Sequence, residues 1–345
     1  MSSESGERVG LALFGIGRAG EVHLKNILRE RKADLKWIVE ENLSHAQEII
    51  EKNLVDVPVI KPEDSDKVFS DPSVRGIIIC TPTNSHADLV KKGLKSGKAV
   101  FCEKPIANAV EITETCYAEA EKYGQPLFCA MNRRFDPSVR LMKQRMTRGD
   151  IGQVYSIKAC YRDCPCPPIQ FLKTSGGIFH DCGVHFIDII CWILGEGPIS
   201  VYVQAHAFHN DIAGLGDVDQ ALIVMKFPSG CTGSIDLSRL SVYGYDQRLE
   251  IFGSKGMLEQ RNKVPTSVVH YSDIGATHDP IEPTFRERYR ESFELELVHF
   301  LNVQKGIEKE PSVKKEDALR MCRIADACKE SYRTGQQIFL NNYQC

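Results

Sequence analysis

The sequence predicts an α/β protein: an N-terminal doubly wound parallel sheet, then a C-terminal α/β domain with a large, mostly antiparallel open sheet. Three observations predict it. Near-continuous apolar strands alternate with helical segments as far as residue 131, the pattern of parallel strands covered on both faces. A glycine turn joins the first strand to the first helix. From residue 132 the rhythm changes to strand-like runs separated by glycine turns, as in antiparallel sheets. At roughly 150 residues per domain, a chain of 345 residues holds two cores, which the change of rhythm divides as 1–131 and 132–345.

Each element follows from local pattern. Residues 8–14 form a short apolar strand ending in the glycine turn, and a helical pattern runs on through Arg31. Leu35 to Val39 reads as a strand and Ser44 to Lys52 as a helix capped by Ser44. Val74 to Cys80 is a buried strand closed by Thr81-Pro82, and the helix Asn84 to Ser96 stops at Gly97. Lys98 to Cys102 and Leu127 to Met131 are strands flanking the helix Val110 to Tyr123. Beyond them come a helix from Ser138 to Arg148, a strand from Gly152 to Tyr161, a Cys-Pro-rich stretch and a long apolar helix from His180 to Leu194. The strand-like runs are Ser200 to Phe208, Gln220 to Phe227, Thr232 to Leu240, Gln247 to Phe252 and Met257 to Gln260. Residues 266–284 read as a loop punctuated by Pro and Gly. Helices from Phe285 to Lys305 and Glu316 to Thr334 close the chain, with Phe285, Tyr289 and Phe293 as core residues.

Composition excludes several classes. Hydrophobic residues make up 42%, charged residues 26%, and the net charge is −3, the balance of a globular protein and not of a disordered one. No basic block marks a nucleic-acid partner, and no apolar run approaches the ~18 residues of a membrane span. The start lacks a basic and then apolar leader, so a cytoplasmic location is expected. The 13 cysteines are odd in number and set mostly in apolar runs, which predicts reduced core thiols. Cys160, Cys164, Cys166 and Cys182 with His180 invite a zinc reading, but C-x-x-x-C-x-C is not a strong zinc signature and Pro165 and Pro167 stiffen the chain, so no metal is expected.

Gly15-Ile16-Gly17-Arg18-Ala19-Gly20 spells G-x-G-x-x-G between a strand and a helix. The first glycine permits the tight turn, the second lets backbone approach a pyrophosphate, and the third brings helix and strand together; the helix N-terminus then faces the anion. At the end of the second strand stands Glu40, placed to hydrogen-bond the ribose hydroxyls of an adenosine, with Glu41 as its competitor. A carboxylate there repels a 2′-phosphate, and no arginine follows in Glu41-Asn42-Leu43-Ser44, so the expected cofactor is NAD and not NADP.

Two further motifs carry chemistry. Glu103-Lys104-Pro105 sits at the carboxyl end of a parallel strand, where open α/β sheets bind ligands. Asp181 and His185, at i and i+4, share one face of the apolar helix. Alone, the first is an ordinary solvated charge and the second an ordinary ion pair. Together with the glycine fingerprint they resemble the glucose-fructose oxidoreductase, inositol dehydrogenase and MocA family over essentially the whole chain. The segments Phe101-Cys102-Glu103-Lys104-Pro105, Asn132-Arg133-Arg134-Phe135-Asp136, Asp181 to Asp188 and Tyr243-Gly244-Tyr245-Asp246 are most similar to its inositol dehydrogenases.

The resemblance implies a Rossmann domain followed by an α/β domain whose open sheet mediates homo-oligomer contacts, commonly in tetramers. It implies NAD-dependent oxidation of a cyclitol such as myo-inositol to the 2-keto inosose, with Lys104, Asp181 and His185 as the catalytic group. His185 accepts the hydroxyl proton, Asp181 orients and stabilises the imidazolium, and Lys104 binds the hydroxyl oxygen. Asp188 ranks second as the orienting carboxylate. Arg133, Asp163 and Tyr243 are implied substrate contacts. Thr81, Pro82 and His86, in a T-P-x-x-x-H segment, are implied at the nicotinamide side with Glu103 and Lys104; helix capping by Asn84 or Ser85 is the other account of that turn. Asn132 and Asp163 depart from the inositol dehydrogenase pattern where hydroxyl stereochemistry is read, which leaves the isomer open. Another sugar or a dihydrodiol is the alternative substrate, and a non-enzymatic NAD-binding regulator the alternative of another class.

Overall fold

The structure, a computed structural model, describes residues 8–340. The chain divides into two compact units: the residues up to Phe135 with Glu291–Leu319, and Asp136–Arg290 with the residues from Arg320 onward.

The first unit is built on six parallel strands: β1 (Val9–Phe14), β2 (Ala33–Val39), β3 (Val59–Ile60), β4 (Gly76–Ile79), β5 (Ala99–Glu103) and β6 (Leu127–Ala130). Their order is β3-β2-β1-β4-β5-β6. Every residue of β1 and β4 is buried, which is why their sequences are unbroken apolar runs. The order turns back between β1 and β4, so Phe14 and Ile79 end at the switch point where doubly wound sheets take ligands. Leu11, Leu13 and Phe101 from the strands pack with Leu24 and Ile27 of the helix Gly20–Arg29 in one core. The helix Arg290–Gln304 adds Leu297, Phe300 and Leu301 to that core, with Phe300 edge-on to Phe128 at 4.9 Å.

The second unit holds a seven-stranded sheet of β7 (Val154–Arg162), β8 (Ser200–His206), β9 (Gln220–Lys226), β10 (Thr232–Ser238), β11 (Asp246–Gly253), β12 (Gly256–Gln260) and, after an exposed hairpin of β13 (Val269–Ser272) and β14 (Gly275–His278), β15 (Ile338–Phe339). The order is β12-β11-β7-β10-β9-β8-β15; all neighbours are antiparallel except β7 and β10. Side chains alternate as a half-covered sheet requires: Ala221, Ile223 and Met225 of β9 are buried, while Leu222 and Val224 stand exposed on the other face. The apolar helix Val184–Leu194 is buried almost throughout and packs against β7.

Several elements differ from local expectation. Asn42 caps the second helix in place of Ser44, because the Asn42 side chain accepts the His45 N–H at 3.0 Å. The segment expected as a helix from Asn84 opens as a 3₁₀ turn, Thr83–Ser85, and is α-helical only from His86. The helix expected from His180 opens as a π-helical turn, Phe179–Gly183. The helix expected over 285–305 breaks at Tyr289, and the loop expected over 266–284 contains a hairpin. The 12 described cysteines form no disulfide with one another, and all but Cys80, Cys164 and Cys166 are buried. Among the described residues no helix is long and apolar enough to cross a membrane.

Candidate active site

The glycine turn has the shape its spacing predicts. Gly15 has φ +81°, and a Cβ on it would sit 2.9 Å from the Cys80 carbonyl oxygen. A Cβ on Gly20 would approach the Gly15 oxygen to 2.1 Å, so the third glycine is what lets the helix close on the strand. Gly17 is exposed, and a Cβ there would meet nothing within 4 Å: this glycine faces open space, where a ligand can approach the protein backbone closely. Ile16 and Arg18 lie in the same turn, Arg18 half-buried. Glu40, just past β2, reaches back to this turn. One carboxylate oxygen accepts the Ile16 N–H at 2.9 Å and the other the Asn42 N–H at 3.0 Å. These residues fit a dinucleotide: an open glycine beneath the pyrophosphate position and a pre-set carboxylate beside it.

Two turns follow the ends of β4 and β5. Thr81 and Pro82 are held by Ser85, whose hydroxyl donates to Thr81 Oγ1 at 2.7 Å. His86 is 1% exposed, and its ring nitrogens lie 2.8 Å from the Pro105 and Thr81 carbonyl oxygens, so it braces one turn against the other. Neither Asn84 nor Ser85 caps the helix through its side chain. Lys104 is half-buried, and its backbone N–H donates to Glu103 Oε2 at 3.2 Å. Arg133 is buried in the turn Asn132–Phe135 that follows β6.

In the second unit, Asp181 lies in the π-helical turn and His185 in the first turn of the helix beyond it. What holds Asp181 is a residue that no motif marks. Arg239, just past β10 and fully buried, donates to Asp181 Oδ2 at 2.8 Å and to Asp217 Oδ2 at 2.9 Å. Burial alone would lower the guanidinium, but Cys182, Asp181 and Asp217 around it raise it above its usual range. Asp217 in turn accepts the Ile178 N–H at 3.0 Å, and a Cβ on Gly177, at φ +87°, would come within 3.1 Å of that oxygen. Gly177 therefore makes room for the carboxylate that anchors the helix start. The His185 ring stacks parallel to Tyr161 with centroids 6.2 Å apart.

Asp163 is buried at the end of β7, where its Oδ1 accepts the Cys164 N–H at 2.9 Å and its backbone ties to Ser238 and Ser241. Tyr243 is half exposed; its hydroxyl accepts from Arg162 at 2.8 Å and donates to Asp246 at 2.7 Å. Burial would raise the Asp246 carboxyl, yet hydrogen bonds from Arg248, Tyr243 and Asn262 bring it down to about 2. Tyr243 lines a surface pocket of about 470 Å³ together with Arg162, Asp236, Ser238 and His209.

Comparison with known proteins agrees with this architecture. The family described as "Oxidoreductase family, NAD-binding Rossmann fold" matches residues 9–131, and "Oxidoreductase family, C-terminal alpha/beta domain" matches residues 143–340. The chain is 34% identical over 332 residues to the inositol 2-dehydrogenase of Rhizobium meliloti (strain 1021), covering 96% of this chain and 98% of that protein. It is 34% identical over 337 residues to the scyllo-inositol 2-dehydrogenase (NAD(+)) of Bacillus subtilis (strain 168), with 97% of each covered. The crystal structure of a probable dehydrogenase from Thermotoga maritima superposes with a TM-score of 0.92 at 33% identity, over 97% of this chain and 100% of that one. The chain belongs to the glucose-fructose oxidoreductase, inositol dehydrogenase and MocA family, oxidoreductases with an NAD-binding Rossmann fold and a C-terminal α/β domain.

Proposed function

We propose that this protein oxidises a secondary hydroxyl of a cyclitol or sugar-like polyol with NAD, with myo-inositol to the 2-keto inosose as the leading reaction. The inositol dehydrogenases it resembles align with 96% and 97% of its length, which supports the substrate class. The observation that carries the chemistry is the Asp181 carboxylate held by buried Arg239 on the turn that leads into His185. A carboxylate held in place there suits an imidazole that must take up a proton.

Gly15, Ile16, Gly17, Arg18 and Gly20 hold the pyrophosphate through the turn's backbone, and Glu40 holds the ribose hydroxyls. Thr81, Pro82, His86, Glu103 and Lys104 lie toward the nicotinamide. Bound NAD supplies the hydride acceptor at nicotinamide C4. His185 accepts the substrate hydroxyl proton, Asp181 sets the imidazole orientation, and the Lys104 ammonium offsets charge developing on the oxygen. Arg133, Asp163 and Tyr243 contact the remaining hydroxyls. The protein works in the cytoplasm as a homo-oligomer, dimer or tetramer, joined through the open face of the second unit's sheet.

The test is NADH formation with a panel of inositols, hexoses and aromatic dihydrodiols. Turnover of a cyclitol above the others is expected. Activity confined to hexoses or dihydrodiols would overturn the substrate. Tight NAD binding with no polyol turned over would point to a regulator.

A further inference from the structure

The Glu103–Lys104 turn rests on a cluster of titratable groups that the proposed chemistry does not use. His23 lies on the helix Gly20–Arg29, one turn past the last fingerprint glycine, and is fully buried. Its Nε2 is 2.8 Å from Glu103 Oε1, and its ring stands edge-on to Phe101 at 5.0 Å and Phe293 at 5.5 Å. The other Glu103 oxygen accepts the Lys104 N–H. One carboxylate thus links the helix that opens at the glycine turn to the backbone of Lys104.

The groups facing Glu103 come from every neighbouring element. They are His23 on the first helix, Lys104 in its own turn, Cys102 on its own strand, Cys80 after β4 and Glu296 on the helix Arg290–Gln304. Burial, with the charge of Glu103 added, pushes the Glu296 carboxyl well above the usual range. Burial presses Glu103 the same way, but the hydrogen bond and charge of His23, with Lys104, hold it below. Two carboxyl groups in one buried site do not both ionise unless something pairs with one of them.

We propose that His23 is a positioning residue for Lys104: through Glu103 it fixes the Lys104 backbone relative to the helix of the glycine turn. The proposal rests on the reading of Lys104 as the group that binds the substrate hydroxyl. Without the ring, Glu103 gains a proton in competition with Glu296 and becomes a weaker acceptor for the Lys104 N–H, since acceptance by an ionised group is the stronger kind. A misplacement of ~1 Å in a positioned group lowers rate by up to about a hundredfold.

The experiment compares wild type with His23→Phe and His23→Gln. The glutamine amide offers an N–H near the position of Nε2. Polyol kcat and KM are followed across pH. In the protein without substrate, the rate at which acetic anhydride modifies Lys104 is read by mass spectrometry. His23→Phe should lower kcat on the order of tenfold or more near neutral pH, with partial recovery as pH rises, and change the Lys104 modification rate several-fold. His23→Gln should restore both. If His23→Phe does not fold, Glu103→Gln replaces it; having no charge to regain, it should show the kcat loss without alkaline recovery. A Phe variant with wild-type profile and labelling, a Gln variant as impaired as Phe, or a wild-type-like Glu103→Gln each overturns the proposal. A wild type that oxidises no polyol defeats the functional reading instead, and the labelling arms still decide the His23 link.

Discussion

Glu40 has both carboxylate oxygens engaged by backbone N–H groups, from Ile16 at 2.9 Å and Asn42 at 3.0 Å, before any ligand arrives. A side chain already fixed loses little rotamer freedom on binding, and in the proposed ribose role its charge would repel a 2′-phosphate. Removing a charged hydrogen-bond partner costs ~1.5–3 kcal/mol, so Glu40→Ala should narrow the ratio of Kd for NADP to Kd for NAD by about tenfold or more. An unchanged ratio, measured by calorimetry, sinks the assignment. At the other motif, His185→Ala should lower kcat/KM by roughly 10² to 10⁴, the usual loss for a general base. Arg239→Met should behave differently. It leaves Asp181 and Asp217 without the guanidinium they share, and breaking such a buried pair costs ~3–5 kcal/mol, so the thermal midpoint should fall together with kcat. A midpoint equal to wild type would mean that Arg239 does not hold this site.

The elements readable in the sequence are those whose cause is local. The glycine turn, the buried strands of the first sheet and the helix Val110–Tyr123 with Gly124 in the left-handed region each follow from period and cap within one segment. The strands β3 and β15, two residues each, exist only because a neighbouring strand pairs with them. The same division runs through the candidate site. Asp181, His185 and Lys104 stand in recognisable motifs, but Arg239 reaches Asp181 across 58 residues and His23 reaches Glu103 across 80, with no spacing rule to announce either. Glu296 is harder still to read, since its helix is far from β5 in sequence yet its carboxyl faces Glu103. That contact has a pH signature. A carboxyl whose folded value is raised contributes stability that is complete below its unfolded value near 4.5 and is lost as pH rises toward the folded value. Glu296→Gln has no proton to lose, so its thermal midpoint should gain on wild type progressively as pH rises above that point, then hold a constant lead. A lead that is the same at acidic and alkaline pH would show that Glu296 does not carry this proton.

For the whole molecule, the proposed assembly through the open sheet of the second unit rests on the two faces of that sheet. Its inner face is closed, with Ala221, Ile223, Ile235 and Ile251 fully buried. Its outer face presents Leu222 at 43%, Val224 at 42%, Phe252 at 46% and Met257 at 50% exposure, interleaved with the Lys158–Glu250 ion pair. Exposed apolar side chains thus stand on β9 at one side of this face and on β11 and β12 at the other, with polar side chains of β7 and β10 between them, the mixed character of an interaction surface. A net charge of −3 over 345 residues puts little repulsion between copies. A standard interface covers ~800 Å² per partner, within reach of a seven-stranded sheet face. The double substitution Leu222→Asp and Val224→Asp places two charges on the outer face of β9, where the side chains point to solvent within the unit, so the fold should be kept. Light scattering should then give a wild-type mass of a dimer or tetramer and a smaller species for the variant, with the Kd for NAD changed less than about threefold because the glycine turn belongs to the other unit. A monomeric wild type, or a variant of unchanged mass, would remove this face as the site of assembly.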